Sequence, residues 1–111
     1  MEGTWANGLK DKMGTAVCSM EKLIKGIEKV LDDALEKTPK SATLTDAIEK
    51  CTDALLTATG ECNTLHTMYK YGKGADRAKA SAADAQAHLE SCTIMHAGLL
   101  DHGKVLRSLL R

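Results

Sequence analysis

The chain has 111 residues, 43% of them hydrophobic, 27% charged and 3% aromatic, and its fifteen basic and fifteen acidic residues cancel. That balance gives no basic footprint for nucleic acid or an anionic membrane, and no apolar run reaches the ~20 residues that would insert across a bilayer. The absence of Phe and the single Pro argue for helix and against a β core, within one domain over 1–111.

The opening MEGTWANGLKDK has neither a basic n-region nor an apolar h-region, so it does not read as a signal peptide. The protein is then intracellular, or the chain is a mature segment whose leader is gone. Four cysteines, an even number, favour an oxidising compartment, secreted or cell-surface, over the cytoplasm.

The first helix is expected over about residues 4–37. Leu9, Met13, Val17, Met20, Ile27 and Leu31 share one face, and Lys22, Lys25 and Lys29 lie on the opposite one. Thr38-Pro39 ends it, because Pro disfavours the helical conformation in the residue before it. The second helix, about 44–70, carries the strongest pattern. Leu44, Ile48, Cys51, Leu55, Ala58, Cys62, Leu65 and Tyr69 alternate at spacings of four and three, a coiled-coil-like seam held over almost four heptads. It begins after Ser41 or Thr43, Thr43 with Asp46 resembling a capping box, and the Gly72-Lys73-Gly74 turn ends it. The third helix, about 75–110, has a seam of Ala85, Leu89, Cys92, His96, Leu99, Leu106 and Leu110. Short connections make successive helices antiparallel neighbours, so the fold expected is an all-α, up-down-up three-helix bundle.

Cys51 and Cys62 lie on one helix, about 16 Å apart along its axis, beyond disulfide reach. A turn near residue 72 sets Cys51 beside Cys92, and a turn near residue 40 puts Cys18 level with Cys62. Cys18, however, falls on the lysine-bearing face, so its level fits that partner and its phase does not. The alternative is that Cys51, Cys62 and Cys92 are reduced core residues.

His88, Cys92 and His96 recur every four residues on one face. With Cys51 level, Cys51, Cys92 and one histidine form the only zinc ligand set in view. No C-x-x-C or H-E-x-x-H accompanies it, so no metal or other cofactor is expected. No Gly-rich phosphate loop, nucleophile elbow or convergent carboxylate pair appears, and no catalytic residue is assigned. His66 departs from the histidine phosphotransfer pattern, because Tyr69 stands where that pattern has Lys.

AIEKC and HLESC resemble segments of plant pectin methylesterase inhibitor-type bundles, in which a disulfide ties neighbouring antiparallel helices. The N-terminal hairpin of that family is absent here. Alanine-rich, disulfide-tied bundles on trypanosome surfaces are similar in architecture. These likenesses imply an inhibitor-type or surface-receptor-type extracellular bundle.

The back of the third helix carries a second stripe that includes Ala87, Ile94, Gly98 and Val105, and Leu56 is a similar outlier on the second helix. Exposed Ala reflects helix propensity, but Ile94 and Val105 suit docking of another helix. The function expected is therefore a non-catalytic interaction module that binds a protein partner or associates with itself. The alternative is an intracellular thiol or zinc protein using Cys51, Cys92 and His88 or His96.

Overall fold

The computed structural model describes residues 8–71, of Tyr71 the backbone alone, and 82–111. Three helices make up the fold, α1 Leu9–Glu36, α2 Ala42–Tyr71 and α3 Ala82–Leu109. Each packs against both others, in the up-down-up antiparallel order read from the sequence. The start expected for the first helix near residue 4, the Gly72-Gly74 turn and the start expected for the third helix at residue 75 lie outside the described residues.

The helix ends follow from local chemistry. α1 starts at Leu9, behind Gly8, which takes the left-handed conformation at φ 76° and is not helical. It stops at Glu36, where the Lys37 amide turns back to the Ala34 carbonyl at 3.2 Å. Past the cis Thr38-Pro39 bond, Lys40 Nζ donates to the Leu35 carbonyl at 2.7 Å, satisfying one of the carbonyls a helix end leaves open. Of the two expected starts, Ser41 is the cap of α2: the Leu44 amide donates to Ser41 Oγ at 3.0 Å. Thr43 lies inside the first turn instead, so the expected Thr43–Asp46 box does not form the cap. Within α2, Thr52, Thr57, Thr59, Thr64 and Thr67 each donate to the carbonyl four residues back. These bonds satisfy the hydroxyls within the helix, at the small cost in helix stability that such back-bonding carries.

Among the described residues no aromatic is fully buried in the core, and Tyr69 packs against it half-buried. The core's fully buried large side chains are Met13, Met20 and Ile27 from α1, Cys51 and Leu65 from α2, and Cys92, Leu99 and Leu106 from α3. Ala34, Ala58 and Ala85 are equally buried and let the backbones approach. No polar or charged residue is buried among the described residues. The α2 seam predicted from heptad spacing is buried or half-buried along its whole length.

Two glycines carry close contacts. At Gly103 an added Cβ would run into Ile27 Cδ1, which fixes how near α1 and α3 approach. At Gly14 it would come to 3.0 Å from Cε1 of Tyr69, whose ring also lies 5.5 Å from Lys10 Nζ. Gly60, by contrast, has nothing within 4 Å of a Cβ. Gly103→Ala is therefore expected to destabilise the fold by about 1–3 kcal/mol through overpacking. Gly60→Ala should stabilise it by up to about 1 kcal/mol through helix propensity. Urea unfolding followed by circular dichroism checks both, and shifts of the same sign would contradict this packing.

Candidate functional site

The cysteines are set by the register between α2 and α3. Glu61 pairs with His88 Nδ1, and Lys50, Asp53 and Ala54 line a groove with Gly98, Leu99 and His102. By level, these contacts centre the α2–α3 pairing roughly two to four residues beyond Gly72. Cys51 consequently falls level with the Gly98–Asp101 turn of α3, roughly 9–14 Å along the helix from Cys92. By this register the expected Cys51–Cys92 neighbours are offset, and Cys62 is the cysteine close enough to Cys92 to raise its pKa. Its Cys18 counterpart behaves as the helical phase required. Cys18 is exposed, in a surface groove between α1 and α2 with Glu21, His66 and Tyr69, and no disulfide joins any of the four.

Burial decides what these thiols can do. Desolvation raises the pKa of Cys51 despite the opposing charge of Arg107, and raises that of Cys62 with help from Glu21. Cys92 is pushed up to about 11, first by burial, then by Glu61 and Cys62. Nucleophilic attack and metal ligation both need thiolate, so these three side chains suit packing better than chemistry at neutral pH.

The histidines of the proposed zinc set are engaged elsewhere. His88 binds Glu61, tying α2 to α3, and His96 Nε2 lies 3.2 Å from Ser19 Oγ, tying α1 to α3. Among the described residues, no group of three or more His, Cys, Asp or Glu could hold a metal ion. With Cys51 displaced along the bundle, the set Cys51, Cys92 and His88 or His96 is not assembled.

The Ser19–His96 pair was not legible from either helix alone. It sits in a depression lined by Ala16, Met20, Cys92 and Thr93. A serine bonded to a histidine has the form of a nucleophile and its base. Here the surrounding backbone amides belong to helix interiors and are spent on helical hydrogen bonds, so none is offered to a developing oxyanion.

The outward residues form a different kind of site. Among the described residues, the exposed large hydrophobics are Leu35 at 55%, Leu56 at 67%, Ile94 at 73% and Val105 at 53%. Three of them are the outliers read from the sequence, and Ala87 beside them is exposed as well. Leu35, near the end of α1, was not singled out in the sequence reading. Ala87, Ile94, Gly98 and Val105 lie within about 40° of one another around α3. No helix of the described chain is long and apolar enough to cross a membrane.

Comparison with known proteins finds no matching family model, no matching curated protein and no matching solved structure. The functional reading consequently rests on this geometry.

Two outcomes check the cysteine assignment. Mild oxidation of the native protein by a small disulfide reagent should link Cys62 to Cys92 before any other intramolecular pair, and a Cys51–Cys92 peptide would contradict the register. The second outcome is alkaline. Below about pH 9.0 each thiol is protonated in both folded and unfolded chains, so it gives no pH dependence. Between 9.0 and about 11 the unfolded chain releases the Cys92 proton while the fold retains it, so stability falls as pH rises. Thermal melts of the parent and Cys92→Ala across this window should show a shallower loss in the variant. Parallel curves would mean that Cys92 is not desolvated.

Proposed function

We propose that the protein is a non-catalytic helical interaction module whose working surface is the outward face of α3. The observation that carries this reading is the exposure of Ile94 and Val105 on one side of a helix whose other side already fills the core. An exposed isoleucine on a helix contributes little to the monomer, yet it becomes an anchor when a second surface excludes water from it. Ala87 and Gly98 between the two large residues keep the surface low, so an approaching helix can lie close. The unlinked, buried cysteines favour a packing role over the thiol or zinc reading. Disulfide stapling in an oxidising compartment is compatible with this module through Cys62 and Cys92. An inhibitor-type or receptor-type extracellular bundle would use the same face.

Ile94→Glu and Val105→Glu test this reading. Both sites are exposed, so each variant should retain the parent's helicity and unfold within about 0.5 kcal/mol of it. Against a partner the introduced charge would be buried without a counterion, which is costly. Light scattering on the purified proteins, and on the proteins added to extract of the native source, should show complexes with the parent that both variants lose. Equal complexes with parent and variants would contradict the proposal, as would a parent that forms none in either setting.

A further inference from the structure

We draw no further inference here: the strongest candidate, the outward stripe of α3 around Ile94, Gly98 and Val105, belongs to the surface already described, and nothing in the structure shows what covers it.

Discussion

Close approach of three backbones is the constraint on which this bundle depends. With no Phe in the chain and no aromatic among the fully buried side chains of the described residues, the core they form is filled by Met, Leu, Ile and Cys. Such a core is narrow, and it packs densely only if the helices come near one another. Ala34, Ala58, Ala85 and Gly103 supply that nearness, and Ile27 occupies the space Gly103 leaves. Three buried cysteines belong to the same design, as small apolar groups whose desolvation keeps them protonated.

Polar contacts between helices are few and lie at the edges of the core. Glu61 with His88 and Ser19 with His96 lock α3 to α2 and to α1 in turn. They fix register rather than supply much stability, since partly exposed pairs contribute little. A consequence is that α3 is held on two flanks and free on its third. The free flank is where Ile94 and Val105 stand, so the same packing that buries one face of α3 presents the other.

Much of the fold was legible in the sequence because hydrophobic periodicity survives without knowledge of partners. The α2 seam from Leu44 to Tyr69 and the α1 face from Leu9 to Ala34 are buried or half-buried as the spacing implied. Gly103 could have been found the same way, since it lies on the α3 seam between Leu99 and Leu106. Register was harder, because it depends on where the midpoint of a connection falls, and the Gly72-Gly74 signal set that midpoint too early. The error moved Cys51 beside Cys92 and assembled a zinc set that the contacts of α2 with α3 do not support. The outward residues Leu56, Ile94 and Val105 were legible for the opposite reason: they violate the period, and violation needs no partner to be seen. Ser19 with His96 was hidden, because one polar residue on each of two helices has no signature until the helices are docked.

The central claim is that α3 works through its outward face while its inward face stays fixed. Methyl NMR during complex formation, across a concentration series or on addition of extract of the native source, tests that most directly, because the chain provides reporters on both sides. Ile94 and Val105 methyl resonances should move together and saturably as complexes form, while those of Ile27 and Val17, buried between the helices, remain in place. Resonances of Ile27 and Val17 that move while Ile94 and Val105 do not would contradict the account.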